Sequence, residues 1–109
     1  MRRIGFWKES FLDDLPNPHL LVDANWSPAE RLIVIAYLRS GSVRDRFFGF
    51  SWCRFECGIP EQEMGNRELT DGVYVWPEGY VHYIERHGVK PPTDFIERAL
   101  LLRHGGRCS

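Results

Sequence analysis

The stretch that decides the fold is residues 67–88, which read RELTDGVYVWPEGYVHYIERHG. Its first half places Asp71-Gly72 between two β-prone runs, Arg67–Thr70 and Val73–Trp76. Asp-Gly is a strong signal for a two-residue hairpin turn, in which both central residues adopt positive φ. The carboxylate of Asp71 is also suited to hydrogen bonds within such a turn. This half therefore predicts an antiparallel hairpin.

The second half predicts a helix that opens at Pro77 and ends at His87. Proline suits the first helical position, and Gly88 suits the residue just beyond the end. At about 100° per residue the segment has two faces. The face expected in the core comprises Trp76, Tyr80, Tyr83, Ile84 and His87. The opposite, polar face comprises Glu78, His82 and Glu85. At the C-terminus of the helix, the dipole favours a positive charge on His87.

An earlier helix is predicted from Ser27-Pro28-Ala29-Glu30, which combines an N-cap serine, a first-turn proline and a capping-box glutamate. That helix is expected to end at Arg39 or Ser40, before Gly41. Its middle, Leu32–Leu38, is apolar on every side, which is typical of a central helix or of one that shares a face with a partner. The candidate interface residues are Leu32, Ile33, Val34 and Tyr37.

The remaining segments complete an α+β pattern. Val43–Phe55 is aromatic and β-prone and predicts one or two strands, whereas Cys57–Arg67 predicts a loop. Thr93 caps a third helix that runs to about Arg103. We predict one α+β domain over residues 1–109, with a small antiparallel sheet and about three helices. Residues 1–26 are expected to be extended, and residues 104–109 to form a flexible tail.

The composition limits which binding partners and which cellular compartment we expect for this protein. Fourteen Lys and Arg residues stand against fifteen Asp and Glu, so the net charge is -1 and we expect no bulk attraction to nucleic acid or to a membrane. Arginines and aromatics alternate over residues 44–54, as on some RNA-stacking surfaces, but a packed sheet face is the favoured interpretation. No apolar run approaches the roughly 18 to 20 residues of a membrane span, and no signal peptide is visible. A cytoplasmic protein is expected.

Four strings in the second half of the chain are distinctive. They are SWCRF at 51–55, ELTDG at 68–72, VWPEG at 75–79 and His82-Tyr83. Through them, the region from Phe50 to about Phe95 resembles a family of small bacterial proteins for which no function is known. The resemblance implies a bacterial cytosolic protein. It implies no activity, and no catalytic residue carries over from it.

The cysteines raise the question of zinc. Three cysteines, an odd number, argue against a secreted disulfide framework. Cys53-Arg-Phe-Glu-Cys57 is similar to a zinc knuckle with one residue too many, because knuckles usually have two residues between the cysteines. If the segment is extended, the cysteines lie about 13 Å apart, too far for one metal. Zinc would require a turn near Glu56–Gly58; two buried free thiols are the simpler expectation.

A second pair of metal ligands would have to come from elsewhere in the chain. His82, His19 and Glu63 are the candidates. His82 and His87 are five positions apart and diverge by about 140° on a helix, so we do not expect them to bind one metal together. No cofactor is therefore predicted, and zinc at Cys53, Cys57 and His82 is the alternative.

The sequence features predict two alternative functions, which belong to different classes of protein. The first is a binding protein that acts through protein–protein contacts, with a homodimer through Leu32–Leu38 as its specific form, because an aromatic content of 14% is more than so small a core hides. The alternative is a metal-binding protein or a small enzyme. Its site would lie between the 77–87 helix and the Cys53–Cys57 loop, with His82, Glu78 and Glu85 as acid–base groups.

Overall fold

The centre of the fold is a four-stranded sheet. A computed structural model describes residues 2–7, 15–46 and 53–108. Its strands are β1 (Arg2–Arg3), β2 (Ser42–Arg46), β3 (Arg67–Thr70) and β4 (Tyr74–Pro77). They lie in the order β1-β4-β3-β2, with β2–β3 and β3–β4 antiparallel and β1 parallel to β4. The α+β class is confirmed, and the sheet is mixed rather than antiparallel because the start of the chain adds a parallel strand beside β4.

The predicted hairpin is formed by β3 and β4, but its turn differs from the prediction. The connection covers Asp71–Val73, and only Gly72 within it has positive φ, at 96°. The Asp71 carboxylate accepts hydrogen bonds from the backbone N–H groups of Val73 at 2.9 Å and Tyr74 at 2.7 Å. These bonds hold a wider turn than the two-residue one, and they confirm that Asp71 serves the turn.

The helices pack around this sheet. They are α1 (Pro28–Arg39), α2 (Glu61–Met64), α3 (Tyr80–His87) and α4 (Thr93–Cys108), and a 3-10 helix covers Pro18–Leu21. The three long helices match those predicted, whereas α2 is one turn within the predicted loop. α3 begins later than predicted because Pro77 ends β4 instead of opening the helix. α4 continues past Arg103 to Cys108, within the predicted tail, and the 3-10 helix interrupts the predicted extended segment.

The ends of α1 follow from its sequence. The Ser27 hydroxyl accepts a hydrogen bond from the Glu30 N–H at 3.4 Å, and the Glu30 carboxylate accepts one from the indole of buried Trp26 at 3.2 Å. The helix then buries Val34, Ile35 and Leu38 in the core of its own chain. The predicted cap is therefore confirmed, and it also ties α1 to the segment before it.

The long strand predicted over Val43–Phe55 is only partly formed. β2 covers its first residues and is exposed along its whole length. Residues 47–52 lie outside the described ranges, and Arg54 and Phe55 form a turn. The predicted face shared by arginines and aromatics therefore does not extend to Arg54.

Aromatic side chains form the middle of the core. Trp76 from β4, Tyr80 and Tyr83 from α3, and Phe95 from α4 are all at most 2% exposed. The Phe95 ring meets Tyr74 at 5.0 Å and Trp76 at 5.7 Å between centroids, both edge to face. The aromatic residues expected in the core are thus confirmed there, with Trp76 contributed by the strand and not by the helix.

A polar network joins α1, the hairpin turn and α4. The Tyr37 hydroxyl and the Arg98 guanidinium both donate to Asp71 Oδ2, at 2.5 and 2.7 Å. Burial raises the pKa of Asp71, but the hydrogen bonds from Tyr37, the Tyr74 backbone and Arg98 outweigh it and lower the pKa to about 2. Burial and the contact with Asp71 raise the pKa of Tyr37 to about 12, so its hydroxyl remains a donor.

The Asp71→Asn variant tests this network. The folded-state pKa of Asp71 is depressed, so its contribution is present above the unfolded pKa of 3.8 and is lost as the pH falls towards 2. We expect the free energy of unfolding at pH 7 to fall by about 1–2 kcal/mol, since solvent screens part of the ion pair. Below pH 3 the difference from the wild type should shrink. Urea unfolding across this pH range measures both effects.

The control for that experiment is Glu97→Gln, which removes an exposed carboxylate beside Arg98. It should change the free energy of unfolding by less than about 0.5 kcal/mol at either pH. An equal loss in both variants would show that general charge balance, and not the Asp71 network, is responsible.

Candidate metal centre

A tight turn brings the two cysteines together. The Glu56 N–H donates to the Cys53 carbonyl at 3.0 Å, and Glu56 itself has a φ of 51°. Gly58, with a φ of 86°, then redirects the chain. The turn that the sequence analysis required for a shared metal is therefore present, and the two sulfur atoms lie within 4.8 Å of each other.

The same turn is fixed to α3. The Arg54 backbone N–H donates to the Tyr83 hydroxyl at 2.8 Å, and the Tyr83 side chain is buried. The Phe55 ring stacks on the His87 ring, with centroids 4.2 Å apart and an interplanar angle of 8°. These contacts place the cysteines over the last turns of the helix.

α3 supplies two histidines at that position. Its buried face carries Tyr80, Tyr83 and Ile84, so His82 lies to one side of this buried face. The helix ends at His87, where Gly88 adopts the left-handed conformation with a φ of 67°. Both imidazoles are half-buried.

Four side chains converge at this point, and we name them the Cys2His2 cluster: Cys53, Cys57, His82 and His87. Cys53 Sγ lies 3.4 Å from His87 Nε2, and Cys57 Sγ lies 3.3 Å from His82 Nε2. The two Nε2 atoms are 3.2 Å apart. All four atoms lie within 4.8 Å of one another, so together they could hold a metal ion.

These distances can be compared with those of a zinc site. In a tetrahedral site with Zn–S bonds of about 2.3 Å and Zn–N bonds of about 2.0–2.1 Å, sulfur and nitrogen lie about 3.5 Å apart and two nitrogens about 3.3 Å apart. The three separations given above, 3.4, 3.3 and 3.2 Å, are each close to the corresponding edge. Three of the six separations therefore match the edges of a tetrahedral zinc site, and the other three are within 4.8 Å.

The expectation that the side chains of His82 and His87 diverge too far to share a metal is wrong in its geometry, because the two Nε2 atoms lie 3.2 Å apart. Their rings lie 5.0 Å apart between centroids, at an angle of 77°. A helical wheel fixes only the direction in which each side chain leaves the backbone, whereas Nε2 lies at the far end of a ring that two torsions can turn. Rotation of both rings towards the cysteine turn brings the two Nε2 atoms together despite the angle between their Cα–Cβ bonds.

The surroundings keep both histidines neutral. Burial lowers the pKa of His82, with help from the charges of His87 and Arg86. Burial and the charge of Arg86 likewise lower the pKa of His87, which corrects the expectation of a favoured positive charge there. A neutral imidazole has the lone pair that a metal needs.

The thiol of Cys53 is held in its protonated form when no metal is bound. Its pKa is raised, first by burial and also by the neighbouring Cys57. A divalent cation at the centre of the cluster would reverse this, because a coordinating thiol is deprotonated by the metal. Binding of a metal ion at this site would therefore release protons.

Two other residues considered as ligands lie outside the cluster. The His19 ring faces Phe55, at 4.3 Å between centroids, and its Nδ1 lies 3.0 Å from Asn17 Oδ1. Glu63 lines a cavity of about 350 Å³ beside the cluster, together with Cys57, His82 and His87. His19 thus supports the wall of the site, and Glu63 lies next to it.

The carboxylates proposed as acid–base partners of His82 have other contacts. Glu78 forms an ion pair with Arg67 and accepts a hydrogen bond from the Asn66 N–H at 3.0 Å. Glu85 is exposed and lies 3.4 Å from Arg39. Glu78, Glu85 and His82 line one cavity of about 360 Å³, but each carboxylate is paired with an arginine.

The candidate interface residues of α1 lie in different environments. Val34 is completely buried in its own chain, so the prediction of an interface role is wrong for this residue. Leu32 is 68% exposed, and Ile33 and Tyr37 are half-buried. Tyr37 also donates its hydroxyl to Asp71. The homodimer itself stays a prediction.

His87 is the ligand that the sequence analysis missed, although a signal was present. Three residues separate Cys53 from Cys57, and four separate His82 from His87. Structural zinc sites usually have roughly two to four residues between cysteines and three to five between histidines. Both pairs fall within these ranges, so the spacing marks His87 as a candidate ligand beside His82.

Comparison with known proteins identifies no relative of this chain. No protein family, curated protein or solved structure matches this chain. Within the described ranges, no helix is both long and apolar enough to cross a lipid bilayer.

The Glu78→Ala variant tests whether Glu78 supports the fold or the metal site. The substitution removes the acceptor of backbone N–H groups at the start of β3, so we expect the free energy of unfolding to fall by about 1–3 kcal/mol. Metal content per chain should not change. Glu85→Ala, on the exposed side of the same cavity, is the control and should cost less than about 0.5 kcal/mol. Loss of metal in Glu78→Ala, with stability retained, would contradict this assignment.

Proposed function

We propose that this protein binds zinc, with one ion held tetrahedrally by the Cys2His2 cluster. The observation that carries the proposal is the convergence of the four ligand atoms within 4.8 Å of one another, with three of their separations close to the edges of a zinc-centred tetrahedron. Four polar side chains from two segments of the chain converge on one point. Such convergence of ligand types is the usual basis of a metal site.

The ligand types favour zinc over other cations. Two thiolates and two imidazoles form a soft, tetrahedral set that suits zinc, whereas magnesium and calcium prefer oxygen ligands. Two thiolates also balance the charge of a divalent ion when both imidazoles are neutral. The lowered pKa values of His82 and His87 favour that neutral state.

The number of ligands supports a structural role rather than catalysis. Catalytic zinc sites usually have three protein ligands and keep one position open, whereas four protein ligands close the site. The ion would join the Cys53–Cys57 turn to the end of α3, which are otherwise linked by the Arg54–Tyr83 hydrogen bond and the Phe55–His87 stack. Its binding free energy would contribute directly to folding. The predicted cytosolic setting is compatible with this role because cysteines stay reduced there.

Metal content measured by native mass spectrometry tests the proposal. Protein purified without chelator should contain one zinc per chain, and Cys53→Ser and His87→Asn should each lose it. With free zinc at about 100 times its Kd, the bound ion should stabilise the fold by about 2.7 kcal/mol, so chelation should lower the Tm. Cobalt substitution should give the thiolate charge-transfer absorption of a tetrahedral Cys2His2 site.

The controls are Cys108→Ser and His19→Asn, which remove a cysteine and a histidine outside the cluster. Both variants should keep one zinc per chain and the chelator-dependent shift in Tm. If a ligand variant fails to fold, the cobalt spectrum of the wild type still reports the ligand set. A wild-type protein that binds neither zinc nor cobalt, or a cobalt spectrum without thiolate bands, would contradict the proposal.

A further inference from the structure

The two cysteines of the cluster differ in their access to solvent. Cys57 is exposed, whereas Cys53 is 5% exposed and packs in the core. The cavity of about 350 Å³ beside the cluster is lined by Cys57, Gly58 and Arg86, among others. A small reagent in that cavity therefore meets the sulfur of Cys57 before it meets that of Cys53.

The two sulfurs are also neighbours. They lie within 4.8 Å of each other, and the Glu56 N–H···O=C Cys53 bond closes the turn between them. An exposed cysteine beside a second, protected cysteine is the arrangement found in cysteine redox sensors, in which the second cysteine resolves the oxidised first one.

We propose that the Cys53–Cys57 pair is an oxidation site, at which a hydroperoxide converts the two thiolates into a disulfide and abolishes metal binding. The proposal rests on the zinc site proposed above. It assigns the exposed Cys57 as the residue that is attacked and the buried Cys53 as the resolving residue. In the metal site both cysteines are simply ligands, whereas in the oxidation reaction each cysteine has a different role.

The oxidation of the cysteine pair takes place in two steps. The Cys57 thiolate attacks one oxygen of the hydroperoxide, the O–O bond breaks, and the leaving oxygen takes up a proton to give water or an alcohol. Cys57 is then a sulfenic acid. The Cys53 thiolate attacks its sulfur, the S–O bond breaks, and the hydroxide takes up a proton to leave as water. Two thiolates, one hydroperoxide and two protons thus give one disulfide and two neutral products, with the peroxide as the oxidant.

The consequence for the fold is local. A disulfide uses both sulfur ligands, so only His82 and His87 remain and the ion is released. The disulfide joins the two ends of the Cys53–Cys57 turn, and the metal no longer joins this turn to the end of α3. The contacts that remain between the turn and the helix include the Arg54–Tyr83 hydrogen bond and the Phe55–His87 stack. Oxidation would thus loosen residues 53–58 while the buried face of α3 stays packed.

The experiment is to treat the zinc-loaded full chain with hydrogen peroxide. A colorimetric zinc chelator follows release of the metal, and peptide mass spectrometry after alkylation identifies the oxidised residues. We expect one zinc to be released per disulfide formed, with Cys53 joined to Cys57 in the same chain. Dithiothreitol and added zinc should restore the original metal content.

Three variants separate the roles of the cysteines. Cys108→Ser should behave as the wild type. In Cys53→Ser, Cys57 should be trapped as a sulfenic acid by a dimedone probe. In Cys57→Ser, Cys53 should react about ten-fold more slowly than Cys57 does in the reciprocal variant, because it is buried.

The outcomes distinguish this inference from the proposed function. A protein that holds zinc and keeps it under peroxide overturns the oxidation site and leaves the zinc site intact. Release of zinc with a disulfide through Cys108, or with irreversible sulfinic acid only, also overturns it. A wild-type protein that never binds zinc overturns both.

Discussion

The hydrogen bond from the Arg54 backbone N–H to the Tyr83 hydroxyl, at 2.8 Å, is the interaction on which the candidate site depends. Tyr83 is fixed because its ring lies in the core, 5.2 Å from Trp7 between centroids. Its hydroxyl then holds the Cys53–Cys57 turn above the end of α3. The Phe55–His87 stack supports the same arrangement, and together these contacts bring the cysteines and the histidines to one place.

The polar groups around the hairpin stabilise the position of α3 without joining the cluster. Asp71 binds Tyr37 and Arg98, and Glu78 binds Arg67 and backbone N–H groups before β3. Each carboxylate is satisfied by a specific partner, as buried and half-buried charges require. The Asp71 contacts fix the hairpin against α1 and α4, and the Glu78 contacts tie the end of β4 to the start of β3. α3 follows shortly after β4. His82 and His87 are therefore positioned by a helix that follows the two central strands of the sheet, whereas Cys53 and Cys57 lie in a turn held against that helix.

The sequence predicted elements best where local chemistry decides them. The caps at Ser27 and Gly88 and the position of the hairpin turn at Asp71 are predicted correctly, because each depends on neighbouring residues alone. The conformation of that turn is not, since Gly72 has positive φ and Asp71 does not. The start of α3 was misplaced, since Pro77 suits both a first helical turn and the last position of a strand, and pairing with β3 decided between them. β1 was not predicted because two residues carry no periodic pattern.

For the candidate site, the sequence by itself determined the ligand types and their spacing within each pair, Cys53 with Cys57 and His82 with His87. Only the tertiary structure decided that the pairs meet. Their approach depends on a left-handed residue at Glu56, on the stacking of Phe55 against His87 and on ring torsions that turn both Nε2 atoms inward. These are long-range packing choices, and a helical wheel or a strand pattern contains no information about them because each describes one segment at a time.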